Sequence, residues 1–170
     1  VDFKRLIHGV HAAAKTDYTG ATAYGFREKG LVIYGFGSSV NDFSHIRFPG
    51  ILNDCTTCHL AGTYELTGDW EVPTLSGILG SSIDTAPAAT DATTLAAGLA
   101  DQTDDLNITP TAAVCSSCHD GAVAKSHMML NGALFSATQA VIDTGATLEA
   151  CAICHGPGRT ADVKMIHGVP

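Results

Sequence analysis

The sequence predicts a mainly irregular chain with short α-helices and few strands, wrapped around bulky groups that its own side chains do not supply. Three observations carry this. Charged residues make up 15 % and aromatics 6 % of 170 residues while Gly numbers 18, a poor recipe for a core of large side chains. The six cysteines fall into three tight pairs, each followed directly by His. Turn-formers such as Pro87, Gly98, Pro110 and Gly156-Pro157-Gly158 interrupt the chain repeatedly.

The pairs are Cys55-Thr56-Thr57-Cys58-His59, Cys115-Ser116-Ser117-Cys118-His119 and Cys151-Ala152-Ile153-Cys154-His155. Each is C-x-x-C-H, the attachment signature of a c-type haem. Two thiols at this spacing reach the two vinyl groups on one porphyrin edge, and the adjacent His falls beneath the ring as proximal ligand to the iron. Zinc also uses C-x-x-C, but a four-thiolate site takes two pairs and strands the third, and it gives no reason for His to follow every time. A disulfide framework joins distant cysteines rather than close ones. The reading is three haem c groups, held through Cys55, Cys58, Cys115, Cys118, Cys151 and Cys154, with His59, His119 and His155 on the irons.

Five histidines remain, His8, His11, His45, His127 and His167, against three distal positions. Met128, Met129 and Met165 are the alternative donors, and each lies beside or near a His, which makes packing their better role. The surplus of imidazole predicts bis-histidine, low-spin irons with no open position, suited to carrying electrons rather than to binding a substrate at the metal.

Taken in order, Val1 to Ala14 predicts a helix with Phe3, Leu6, Ile7 and Val10 toward one side, and His8 and His11 at i and i+3 share a face. Leu31 to Phe36, closed by Gly37, predicts a strand, and His45 lies beside a strand or turn. From Phe48 to Ala124 there is no Lys or Arg but ten Asp and Glu. Within that span, residues 81–114 are rich in Ala, Thr and Asp and predict a long exposed insertion, with one short helix near Thr94 to Leu99. Asp101, Asp104 and Asp105 lack the spacing of a calcium loop. Ala133 to Asp143 has helical composition, and Gly156-Pro157-Gly158 forces a turn after the third motif. The whole, 1–170, is expected to form a single trihaem domain.

An internal echo links the two ends. Leu6-Ile7-His8-Gly9-Val10 matches Met165-Ile166-His167-Gly168-Val169, each preceded by an Asp and a Lys. The second copy follows a C-x-x-C-H, which suggests a module of two haem motifs ending in a His-bearing helix. His127 and His167, eight and twelve residues past His119 and His155, are placed to cross to neighbouring haems.

Net charge −8 argues against nucleic acid, which needs clustered Lys and Arg. No run approaches the ~18 apolar residues of a membrane span. The first residues, Val1-Asp2-Phe3-Lys4, carry neither an initiator Met nor a signal-peptide core, as expected of a processed or excised segment.

Asp2-Phe3-Lys4-Arg5-Leu6-Ile7-His8-Gly9-Val10-His11 resembles the paired-His helix of the outer-surface decahaem cytochromes of metal-reducing bacteria. Phe48-Pro49-Gly50, then Asn53-Asp54 before the first motif and Thr63-Tyr64-Glu65-Leu66 after it, are similar to the next segment there. His127-Met128, Cys154-His155-Gly156 and Ile166-His167 resemble the close of their C-terminal pentahaem domain. The resemblance covers most of the chain apart from the acidic insertion. It implies electron transfer through closely packed bis-His haems to minerals, soluble metals and flavins, with haem attached outside the cytoplasm and the protein in the periplasm, at the cell surface or extracellular. It also implies that His11 serves the Cys55 haem, that His127 and His167 serve the other two, and that His8 is left over. A pentahaem domain has two further C-x-x-C-H motifs, which this sequence lacks.

Two functions compete. The first is an electron-transfer module with redox-protein partners; if His8 reaches a haem of a neighbouring subunit, identical chains join head to tail into a filament. The second is a multihaem reductase of a small oxyanion or a metal ion, which needs a haem with an open axial position that no odd motif marks here. The acidic chain favours a basic partner patch over an anionic membrane.

Overall fold

A computed structural model of the chain describes residues 3–16, 24–35, 37, 39–66, 81–83, 106–144 and 148–169. Among them, six short α-helices and four three-residue strands alternate with irregular chain. This is the architecture the sequence predicts.

The first helix, α1 (Phe3–His11), gives way to Ala12, Ala13 and Ala14, all fully buried. That apolar run then pairs by backbone. Ala13 O accepts from Leu31 N at 3.1 Å, and Lys15 N donates to Ser44 O at 2.8 Å. The expected strand appears as β1 (Val32–Tyr34), paired antiparallel with β2 (Val40–Asp42) in the register Ile33 to Asn41. A second ribbon joins β3 (Ser81–Ile83) to β4 (Leu106–Ile108), with Ser82 opposite Asn107. Asn107 also bridges to Ala137.

Of the stretch 81–114, expected as an exposed insertion, residues 84–105 lie outside the described residues, and the part described after them is largely buried. The first three residues of the stretch are β3, and its C-terminal end runs inward as β4 and the start of α2 (Pro110–Cys115), with Ile108, Thr109, Pro110, Thr111, Ala112 and Ala113 all buried. The acidic composition of the stretch masked this. Its Asp residues stop at Asp105, and the run from Thr109 to Ala113 holds only Thr, Pro and Ala, small enough to pack closely. The helix anticipated near Thr94 to Leu99, and Asp101, Asp104 and Asp105, lie outside the described residues.

The small core is Ile108, Ala112, Ala113 and Ala133, with Met128 and Phe135 against it. Around it lie α3 (Ala122–Leu130), α4 (Gln139–Asp143), α5 (Ala152–His155) and α6 (Val163–Ile166). The helix expected over Ala133 to Asp143 is confined to α4. Its first half is instead tied to β4, with Ala137 O accepting from Asn107 N at 2.7 Å. Gly132 stops α3 with φ of +91°, and a Cβ there would sit 2.2 Å from the Leu148 carbonyl oxygen. Only Gly fits a left-handed turn pressed this closely on backbone.

Candidate haem-binding site

Each C-x-x-C-H begins in a tight turn in which the His N–H donates to the first Cys carbonyl. The distances are 2.9 Å for His59 to Cys55, 2.8 Å for His119 to Cys115 and 2.9 Å for His155 to Cys151. The turn sets the imidazole under the two thiols. Asp54 caps the first motif, its carboxylate accepting from Thr56 N at 3.1 Å and from Thr56 Oγ1.

Every motif histidine faces one further histidine. His8 and His59 have ring centroids 6.1 Å apart with planes 19° from parallel. His119 and His167 stand 6.1 Å apart, and His127 and His155 6.0 Å. An imidazole bound to a metal through a bond of about 2 Å has its ring centre roughly 3 Å from the metal, so two rings on opposite sides stand about 6 Å apart. Aromatic stacking alone allows a spread of roughly 4.5–7 Å and does not select His for every partner. The three pairs span only 6.0 to 6.1 Å.

Hydrogen bonds fix the rings for the same task. Nδ1 of His8 lies 2.7 Å from Lys4 O, that of His155 2.9 Å from Ala161 O, and that of His167 2.8 Å from Val163 O. An Nδ1–H held by a carbonyl leaves the Nε2 lone pair for a metal, the usual arrangement behind ligating histidines. Burial, then the neighbouring His167, push the His119 pKa down, which keeps its ring neutral, the form in which imidazole binds a metal.

The thiols fit thioether attachment. All six are free. Burial above all pushes Cys115 up to about 12, and Cys118 and Cys151 up to about 11. A thiolate is penalised at such positions, whereas a thioether carries no charge and is at home there. Among the described residues no three of His, Cys, Asp and Glu converge as a metal-holding group. Apolar side chains beside these ligands face outward, with Leu60 80 %, Leu130 87 % and Ile153 65 % exposed, and they fit the flat faces of a porphyrin.

His11 and His45 stand apart from the pairs. His11 is oriented like a ligand, with Nδ1 2.6 Å from Ile7 O, but the ring it meets is that of Phe48, edge-on at 5.0 Å. It is therefore His8, not His11, that faces His59. His45 Nδ1 lies 3.2 Å from Thr16 Oγ1.

Three residues of the site escaped sequence reasoning. Glu149 is buried and receives Thr109 Oγ1 at 2.6 Å and the N–H groups of Thr111 and Ala112 at 2.8 Å each, capping α2. Arg27 and Asp120 pair at 3.4 Å beside His119. Nothing in a single sequence connects residues ninety positions apart.

Asp162 caps α6, the helix that ends at His167. Its carboxylate accepts from Gly158 N at 2.6 Å and Lys164 N at 2.8 Å, and these bonds, Gly158 first, hold its pKa below the ordinary 3.8. A carboxylate depressed in the folded state stabilises fully above its unfolded pKa, and that contribution is lost as pH falls through the folded value. The stability advantage of wild type over Asp162→Asn is therefore expected to be constant above about pH 5 and to shrink on acidification below about pH 4. Guanidinium melts of the haem-loaded proteins across this range check it. An advantage that grows in acid would be incompatible with this cap.

Paired imidazoles behind C-x-x-C-H turns define a multihaem c-type cytochrome. A scan against protein families matches residues 1–168 to the outer membrane cytochrome MtrC/MtrF-like family, domains II/IV, and the chain belongs to that family. A search of curated proteins gives no match. Family membership makes the protein a carrier of haem c that transfers electrons, located at the cell surface or outside the cell. No helix among the described residues is long and apolar enough to cross a membrane.

Proposed function

We propose that this chain holds three haems, each between two imidazoles, and relays single electrons through them in extracellular electron transfer. The common 6.0–6.1 Å spacing of the three His pairs is the observation that carries the reading. His59 with His8, His119 with His167, and His155 with His127 are the axial ligands of the first, second and third haem, and the six cysteines are the thioether anchors. Haem supplies reversible one-electron exchange between ferric and ferrous iron.

The protein's own residues tie the haem segments together. Cys118 Sγ lies 3.8 Å from the His8 carbonyl, and Asn53, two residues before Cys55, donates its side-chain N–H to the His167 carbonyl. Both contacts join the first and second haem segments. Glu149, two residues before Cys151, caps the helix that ends at Cys115 and so joins the second to the third. The first and third segments also meet, since a Cβ on Gly156 would sit 2.9 Å from the Leu66 carbonyl oxygen, so the three haem segments pack against one another. Two nitrogen ligands on each iron leave no position for a substrate, so the protein is a carrier rather than a reductase of a small oxyanion. Its partners are redox proteins, with flavins or metal oxides as outer-sphere acceptors.

His11 is the surplus ligand. With Nδ1 engaged by Ile7 O, it presents Nε2 to a haem outside these three, on another copy of the chain or on another part of a longer one. Supply to a second copy makes a heterologous contact, which propagates into a filament unless it closes.

Pyridine haemochrome assay and intact mass test the core of this reading, with three haems per chain and no stoichiometric carbon monoxide binding by the reduced protein as the expected result. Two haems, or a wild-type haem that binds carbon monoxide rapidly, would overturn it. Light scattering and negative-stain microscopy test the filament, for which a monodisperse single chain is the contrary result.

A further inference from the structure

The densest polar contact between distant parts of the chain lies behind the second haem motif. Phe26 sets its ring 5.5 Å from that of His119. Arg27, 6 % exposed, donates through Nη1 to Ser117 O and pairs with Asp120 Oδ2 at 3.4 Å. Asp120, the residue after His119, also receives the N–H groups of Glu28 at 2.7 Å and Lys29 at 3.2 Å. Glu28 Oε2 in turn accepts from Ala122 N at 3.2 Å.

As a fastener, Arg27 is poorly chosen. Its Nε is buried with no hydrogen-bond partner among the described residues, and a buried ion pair is often matched or bettered in stability by apolar packing. Its charge is instead well placed to act on its surroundings. Its Nη1 reaches Ser117 O, two residues before His119, and Asp120 follows that histidine directly, so both charges stand beside the motif imidazole.

We propose that the Arg27–Asp120 pair sets the reduction potential of the second haem, with Arg27 favouring its ferrous form and Asp120 its ferric form. The inference rests on the three-haem reading above. Oxidation removes one electron and leaves one more positive charge at the iron centre. A nearby cation disfavours that state and a nearby anion favours it, and low-dielectric surroundings magnify both.

The test is a potentiometric titration of haem-loaded wild type, Arg27→Gln, Arg27→Lys and Asp120→Asn, followed optically and by the low-spin electron paramagnetic resonance signals. Arg27→Gln is expected to lower one of three midpoint potentials by a roughly tenfold change in ferric-to-ferrous ratio, about 59 mV for one electron. Asp120→Asn should raise the same midpoint, and Arg27→Lys should stay close to wild type. Opposite signs are the decisive result. Simple loosening admits water, which favours the ferric form in both variants and moves both potentials down. Shifts in the same direction, or no shift in either, would refute the proposal. If Arg27→Gln fails to accumulate with haem, the rise in Asp120→Asn and its absence in Arg27→Lys decide alone. A haem count on the same samples separates this outcome from failure of the three-haem reading.

Discussion

Replacing His8 by Ala is expected to leave one haem in three five-coordinate, while His11→Ala leaves all three six-coordinate. The two imidazoles are three residues apart on one face of α1, and both have Nδ1 anchored to the carbonyl four residues back. Only His8 stands opposite a motif histidine. Its removal should turn about one-third of the low-spin spectrum high-spin and allow the reduced protein to bind one equivalent of carbon monoxide. Added imidazole should reverse the change, which a collapsed α1 would not permit. In an isolated chain His11→Ala should be silent in both assays; in a filament it should disperse the assembly. If His11→Ala opens the first haem and His8→Ala does not, the pairing of His8 with His59 is wrong by one step along α1.

The largest stability effect is expected at Glu149. Truncation to Ala removes the acceptor from two backbone N–H groups and one hydroxyl, all buried, at the start of the helix that carries Cys115. Hydrogen bonds to a charged group and the desolvation of donors left unpaired together make the loss on the order of 3 kcal/mol. For a chain of this size that lowers Tm by about 6–12 °C. Glu149→Gln keeps one acceptor oxygen and should lose about half as much. Thermal melts of the haem-loaded proteins followed by circular dichroism measure both. A change under about 0.5 kcal/mol for the Ala variant would mean that water replaces the cap.

Much of the site was written locally and could be read there. Cys pairs with a following His are contiguous, and the structure forms each as the same turn. Three of the five spare histidines the sequence offers, His8, His127 and His167, have rings that face the motif histidines. Their assignment was not legible. His8 and His11 have equal claims by periodicity, and the choice is made by how α1 lies on the segment Ser117-Cys118, where a Cβ on Gly9 would come 3.9 Å from the Ser117 carbonyl. That is a tertiary fact. The inward run at 106–114 was hidden for a different reason. Its residues are small and partly polar, and Glu149, some forty residues on, takes the buried Thr109 hydroxyl and the Thr111 N–H. Composition cannot anticipate a partner from another segment.

The chain order of the axial pairs bears on how the protein is completed during export. With attachment proceeding as the polypeptide emerges amino end first, His8 is already outside when Cys55 and Cys58 arrive, and His127 is outside before Cys151 and Cys154. On the proposed pairing, the first and third haems therefore meet both ligands on arrival. The second does not, for His167 comes 49 residues after Cys118 and emerges only after the third motif. On the proposed pairing, the second haem is thus the one whose distal imidazole arrives last.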